Sequence, residues 1–141
     1  MITNKTIDCS NHVAAITEEG FVVCWGSNSH KQCDVPENVK NVVSISCGWL
    51  FTAALTSEGR VICWGRHHIC RDIPLHLANV IQVACGYDHV AALISDGTII
   101  CWGSNESKQC DVPADLVNIV AISCGYCFTA ALTSEGRVVC W

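Results

Sequence analysis

The strongest constraint on this chain is that it repeats. Cys-Trp pairs stand at Cys24-Trp25, Cys63-Trp64, Cys101-Trp102 and Cys140-Trp141, so successive copies lie 39, 38 and 39 residues apart, with Gly after the first three. A Cys-Gly step recurs at Cys47-Gly48, Cys85-Gly86 and Cys124-Gly125, with Cys9-Ser10 as a degenerate first copy. Asp34-Val35-Pro36, Asp72-Ile73-Pro74 and Asp111-Val112-Pro113 close three of the units. Self-similarity at one period of this length marks an array whose units cannot bury their apolar faces alone and must stack on one another. One domain, residues 1–141, is expected, with units at about 5–40, 41–79, 80–117 and an incomplete 118–141.

Within a unit the periodicity is that of strands. Val42-Val43-Ser44-Ile45-Ser46-Cys47 is β-branched and partly alternating, and Phe51-Thr52-Ala53-Ala54-Leu55-Thr56 follows a short break. Ser57-Glu58-Gly59 then signals a tight hairpin, matched by Glu18-Glu19-Gly20, Ser95-Asp96-Gly97 and Ser134-Glu135-Gly136, because Gly supplies the positive φ such turns need. A third strand follows as Arg60-Val61-Ile62-Cys63-Trp64. A short segment such as Gln109-Cys110-Asp111-Val112 is expected as an outer fourth strand, its Pro tolerated at an edge. The fold class is therefore all-β: tandem four-stranded antiparallel blades, without helix, forming a partial β-propeller of about half a ring. The recurrent Trp, Ala, Val, Ile and Cys read as packing between blades.

Composition supports a packed interior and excludes several function classes. Half the residues are apolar, 15% are charged and the formal net charge is −5, with no basic stripe for phosphates, so nucleic acid is not an expected partner. The first eight residues contain no apolar core of a secretory signal, and no later run has the length of a membrane span; an intracellular, cytoplasmic protein without membrane contact is expected. Eleven of the twelve cysteines fall on repeat positions, at 9, 47, 85 and 124, at 24, 63, 101 and 140, and at 33, 70 and 110. They read as small dense hydrophobes rather than disulfide partners. Cys124 and Cys127 form a lone Cys-x-x-Cys without a second pair, so no metal site is expected. No phosphate loop, nucleophile elbow or paired carboxylates appear, and neither catalytic residues nor a cofactor are expected.

The run from Cys124-Gly125-Tyr126-Cys127-Phe128-Thr129 to Val139-Cys140-Trp141 resembles the repeat of the regulator of chromosome condensation family, over nearly the whole chain. The resemblance implies a propeller. The compact unit, with Trp-Gly-Ser-Asn and Gln-Cys-Asp-Val-Pro, is more similar to the short-repeat branch that includes the β-lactamase inhibitor protein of the second type. Trp49, Tyr87 and Tyr126 stand where that family often has a second Gly. Phe51 and Phe128 replace a His that survives as His12 and His89, and Lys31 and Lys108 replace a Gly.

In repeat proteins the strands hold the scaffold and the loops of one rim are free to vary. The turns between first and second strands carry Asn11-His12, Trp49-Leu50-Phe51, Tyr87-Asp88-His89 and Tyr126-Cys127-Phe128, which bring aromatic groups to equivalent places on successive blades. The resemblance implies Asn11, Leu50, Asp88 and Cys127, with their neighbours, as partner contacts. Alternatively, Trp49, Tyr87 and Tyr126 plug the rim between blades. His67-His68 lies in the most divergent loop and is a further candidate contact. The expected function is a non-enzymatic scaffold that binds a folded protein. Guanine-nucleotide exchange on a small GTPase and substrate recruitment for a ubiquitin ligase are the alternatives. Three full units and part of a fourth suggest a fragment of a longer propeller, a head-to-tail homodimer through exposed terminal blades, or a tight four-bladed ring.

Overall fold

A computed structural model describes residues 6–141. Lys5, the expected start of the first unit, lies outside the described residues. Four antiparallel sheets follow one another: β1 (Ile7–Cys9), β2 (His12–Ile16) and β3 (Val22–Gly26); β4 (Val42–Cys47), β5 (Phe51–Thr56) and β6 (Val61–Gly65); β7 (Val80–Cys85), β8 (His89–Ile94) and β9 (Ile99–Gly103); β10 (Ile119–Cys124), β11 (Thr129–Thr133) and β12 (Val138–Cys140). In each sheet the strands run in chain order as a meander, and the first strand of each blade packs against that of the next. The Gly of every hairpin takes the expected positive φ, from 72° to 87°.

Among the described residues no sheet has the expected fourth strand; each has three. In blades 1 and 3 a side-chain clamp replaces it. Asn28 Nδ2 donates to Asp34 Oδ1 at 2.7 Å while its Oδ1 accepts from the Cys33 N–H at 2.8 Å, and Asn105 repeats both bonds with Asp111 and Cys110. Lys31 and Lys108, at φ 63° and 64°, turn the chain inside that clamp, which accounts for the Gly usual at this place in the family. Blade 2 has Arg66-His67 instead of Ser-Asn, and its segment coils into a short helix, α1 (His67–Arg71), seated by the buried Ile69. The expectation of a chain without helix is corrected at this point.

The core is three clusters, one between each pair of neighbouring blades. A one-residue bulge in β4, β7 and β10 lets a single strand serve two of them: Val42 faces blade 1 and Val43 faces blade 3. Trp64 and Trp102 are buried against the preceding blade as expected, and Trp64 Nε1 donates to the Gln32 carbonyl at 2.9 Å. Trp25, on the first described blade, is exposed.

Polar locks span the interfaces and alternate in kind. Between blades 1 and 2, Thr52 Oγ1 donates its proton to the Gln32 carbonyl at 2.9 Å and so accepts from His12 Nε2 at 2.6 Å. Between blades 3 and 4, Thr129, Gln109 and His89 repeat this at 2.8 and 3.0 Å. Between blades 2 and 3 the same places hold Phe51 and Val90, within one apolar cluster. His12, Gln32, Phe51 and Thr52 thus recur 77 residues later as His89, Gln109, Phe128 and Thr129, so the structural period is two blades. Gln82 adds a second lock between blades 3 and 4: its amide accepts from the Ile122 N–H and donates to the Ile122 carbonyl, both at 2.9 Å.

Replacing Thr52 by Val leaves the buried His12 Nε2 without an acceptor and should cost about 1–3 kcal/mol, read as a lowered urea midpoint with an unchanged slope. Adding His12→Phe recreates the Phe51–Val90 pair and should recover most of that loss.

Candidate partner-binding rim

The turns between the first two strands of blades 2, 3 and 4 form a ladder across one rim. The Trp49 N–H donates to the Tyr87 carbonyl and the Tyr87 N–H to the Tyr126 carbonyl, each at 3.2 Å. The rings follow the main chain: Trp49 and Tyr87 are stacked with centroids 5.1 Å apart, and Tyr87 and Tyr126 are tilted at 4.2 Å. Such close centroids fit the attraction between offset π systems. Glycine permits the turn. A Cβ on Gly48 would stand 2.1 Å from the Phe51 ring, so only Gly lets that ring tuck beneath the ladder, and Gly125 does the same over Phe128. The neighbouring Tyr87 side chain is the chief influence pushing the Tyr126 pKa up.

Below the ladder opens a groove of about 440 Å³, lined by the first strands of all four blades and by Trp49, Tyr87 and Tyr126 at its mouth. Its floor is tied from blade to blade: the Cys85 N–H donates to Ser46 Oγ at 3.1 Å, Ser46 Oγ donates to Asp8 Oδ2 at 3.1 Å, and the Cys47 N–H donates to the same oxygen at 2.8 Å. The groove mixes carboxylate, hydroxyl, amide and thiol groups beneath an aromatic edge.

The structure divides the expected contacts into three groups. Trp49 and Tyr126 are exposed, and Tyr87 and Leu50 are half-buried on the same rim. Asp88 joins them through an ion pair, with Arg66 Nη1 2.7 Å from Asp88 Oδ2 and His68 Nε2 3.8 Å from it, so the loop carrying His67 and His68 folds over the turn of blade 3. His67 and His68 are exposed. Asn11 is exposed but stands outside the ladder, because the first turn is one residue shorter and has no aromatic slot. Cys127 is half-buried beside Tyr126. His12, Phe51 and His89 are not rim contacts: they are buried between blades, where His12 and His89 hold the Thr hydroxyls and Phe51 fills the core. Phe128 occupies the same place on blade 4 and is exposed only on that blade's outward face. Sequence reasoning missed Arg66, although its place at the head of the divergent loop was a signal.

No disulfide joins the cysteines. Burial pushes the Cys63 and Cys85 thiols well above their ordinary value and those of Cys24 and Cys124 up to about 12. Cys110 departs the other way, lowered chiefly by a hydrogen bond from Cys101. Among the described residues no three His, Cys, Asp or Glu side chains gather as a metal site. Nor is any helix among them long and apolar enough to cross a membrane.

Desolvation holds the pKa of both His12 and His89 below the ordinary value, outweighing the opposing pull of Asp8 on His12 and of the Phe128 carbonyl and Asp88 on His89. The unfolded chain therefore takes up protons from about pH 6.5 downward while the folded chain does not. Stability is complete above that pH and declines as pH falls toward the folded values. The thermal midpoint should drop between pH 7.5 and 5, and the paired changes His12→Phe/Thr52→Val and His89→Phe/Thr129→Val should flatten that slope.

Solved structures share this arrangement. The ectodomain of the Physcomitrella patens receptor kinase CR4 matches with a TM-score of 0.81 at 21% identity, covering 96% of this chain and 39% of that one. Human WBSCR16 matches at 0.76 and 24% identity, covering 93% and 44%. Saccharomyces cerevisiae Prp20p, studied for its binding to Gsp1p and histones, matches at 0.78 and 18%, covering 93% and 43%. The chain thus spans about two fifths of the length of these structures, which is the extent of a partial propeller. No curated protein matches the chain in sequence. Residues 10–32, 42–68, 80–109 and 119–141 match the Regulator of chromosome condensation (RCC1) repeat, one match to each blade, and the chain belongs to that family.

Proposed function

We propose that this chain is a non-enzymatic scaffold that grips a folded protein through the turns on one rim. The observation that carries this reading is the ladder of Trp49, Tyr87 and Tyr126, an aromatic edge whose outer rings are exposed and whose middle ring is half-buried between them. Aromatic side chains on a main-chain-braced turn lose little conformational freedom on binding and supply large contact area, which is why they anchor interfaces. Leu50 and Cys127 extend the apolar contact, and the Arg66–Asp88 pair with exposed His67, His68 and Asn11 supplies a polar margin. The β-lactamase inhibitor protein of the second type, which the compact unit resembles, binds its target through loops at one rim. Prp20p, which binds Gsp1p and histones, is a protein-binding relative by fold. Guanine-nucleotide exchange and recruitment for a ubiquitin ligase rest on family membership alone, and fold does not carry function.

The double change Trp49→Ser/Tyr87→Ser, and separately Tyr126→Ser on the outermost rung, should reduce capture of a protein partner at least tenfold in pull-down while the thermal midpoint holds. Unfolding of these variants would instead assign the rings to plugging the rim.

A further inference from the structure

The repeat brings cysteines together in pairs that partner binding at the rim does not use. In each of the first three blades a cysteine on the third strand meets one in the segment that folds back after it: Cys24 with Cys33, Cys63 with Cys70, and Cys101 with Cys110. Neither member of the blade 3 pair lines the groove, and both are half-buried rather than sealed in the core.

The surroundings of that pair fix both thiols. The Asn105 clamp holds the Cys110 N–H 2.8 Å from Asn105 Oδ1, and Cys110 Sγ is directed at the Ser104 carbonyl, 3.4 Å away, just beyond the end of β9, which carries Cys101. On the other side the Gln109 carbonyl accepts from Thr129 Oγ1 at 2.8 Å, and that hydroxyl lies 3.9 Å from Cys124 Sγ and interacts with the Cys101 thiol. Cys110 therefore sits on a segment tied down before and behind it, with Cys101 beside it. In blade 1 the same clamp holds Cys33, whose Sγ is 3.3 Å from the Ser27 carbonyl; in blade 2 Cys70 lies on α1.

The three pairs differ in how the thiols influence one another. Only in blade 3 is each thiol the chief influence on the other, raising Cys101 and lowering Cys110 against the opposing effects of burial and Asp111. That is the pattern of an S–H directed at a sulfur able to carry the charge. Burial instead raises Cys33 and lifts Cys70 to about 11. The thiolate is the form that attacks peroxides, so the three pairs should not react alike.

We propose that Cys101 and Cys110 form an oxidisable dithiol, in which Cys110 reduces a hydroperoxide and Cys101 then closes a disulfide with it. The Cys110 thiolate attacks the O–O bond of hydrogen peroxide: an S–O bond forms, the O–O bond breaks, and the departing hydroxide takes up the proton Cys110 had released to give water. The Cys101 sulfur next attacks the sulfenic sulfur: the S–S bond forms, the S–O bond breaks, and the hydroxyl leaves as a second water with the Cys101 proton. Two thiols lose two electrons and the peroxide gains them. The loop so closed is one the clamp already holds folded, which brings the partners together before the bond forms. The site is independent of the rim and of any partner gripped there.

The folded chain is treated with hydrogen peroxide near its own concentration, its free thiols are blocked, and it is digested with trypsin, whose cut after Lys108 separates Cys101 from Cys110. The peptides carrying them should remain joined, lighter than their sum by two hydrogens, and Cys110 should oxidise at least about tenfold faster than Cys33 or Cys70. With Cys101→Ala the link should vanish while a Cys110 sulfenic acid persists and is captured by dimedone. With Cys110→Ser, Cys101 should stay reduced. Serine keeps a donor toward the Ser104 carbonyl, so an unchanged thermal midpoint checks the fold of that variant, and the rates in the unaltered chain stand whether or not Cys101→Ala is destabilised. Cys110 oxidising no faster than Cys33, a Cys24–Cys33 link forming as readily, or Cys110 passing to sulfinic acid without a link in the unaltered chain would each overturn the proposal.

Discussion

A three-stranded meander of five-residue strands has two faces and almost no interior, so the packing of one sheet on the next is the condition for everything else in this molecule. The apolar part of that packing, mostly Ala, Val, Ile and Leu with Phe51, Trp64 and Trp102, brings the blades together. The polar locks select one register. A Thr hydroxyl between a carbonyl and an imidazole has one arrangement that satisfies all three groups, and a Gln amide paired with both main-chain groups of Ile122 has one orientation. Buried polar groups are costly when mismatched, so each such lock penalises the wrong neighbour more than it stabilises the right one.

Much of this was legible in the sequence because the repeat reports the same decision four times. The three strands of each blade, the glycine hairpins and the burial of Trp64 and Trp102 follow from period and β-branching alone. The outer strand failed for a physical reason: Asn28 and Asn105 satisfy with side chains the main-chain groups that a ladder would have used, and nothing in a Gln-Cys-Asp-Val-Pro segment distinguishes the two. The rim was half legible. Aromatic residues at Trp49, Tyr87 and Tyr126 marked it, but Phe51 and His89 stand two residues after Trp49 and Tyr87 and are buried, as is His12 at the equivalent place on blade 1. What separates them is a correlation across about forty residues, His with Thr and Phe with Val, which emerges only when blades are compared with their neighbours.

The ladder can be both regular and variable because its order resides in the main chain. The bonds from Trp49 to Tyr87 and from Tyr87 to Tyr126 are amide to carbonyl, and each turn sits on a glycine over the ring of Phe51, His89 or Phe128, so the side chains above can change without disturbing the strands below. Asp88 shows how far that freedom extends: a charged residue in the turn is accommodated by Arg66 from the neighbouring loop rather than by any change in the scaffold.

The cysteines fit the same division between scaffold and surface. Cys47, Cys85 and Cys124 each direct Sγ toward a carbonyl of the preceding blade, at 3.5, 3.5 and 3.4 Å from Asp8, Ser46 and Ala84. A thiol is small enough for the narrow space beside the groove and carries a weak donor that an Ala would lack, while demanding less than a Ser hydroxyl if the bond is long. Burial raises the pKa of Cys85 and Cys124, which keeps the proton on sulfur, preserves the donor and suppresses thiolate chemistry. At Cys47, Cys85 and Cys124 the thiol thus serves the junction with the preceding blade.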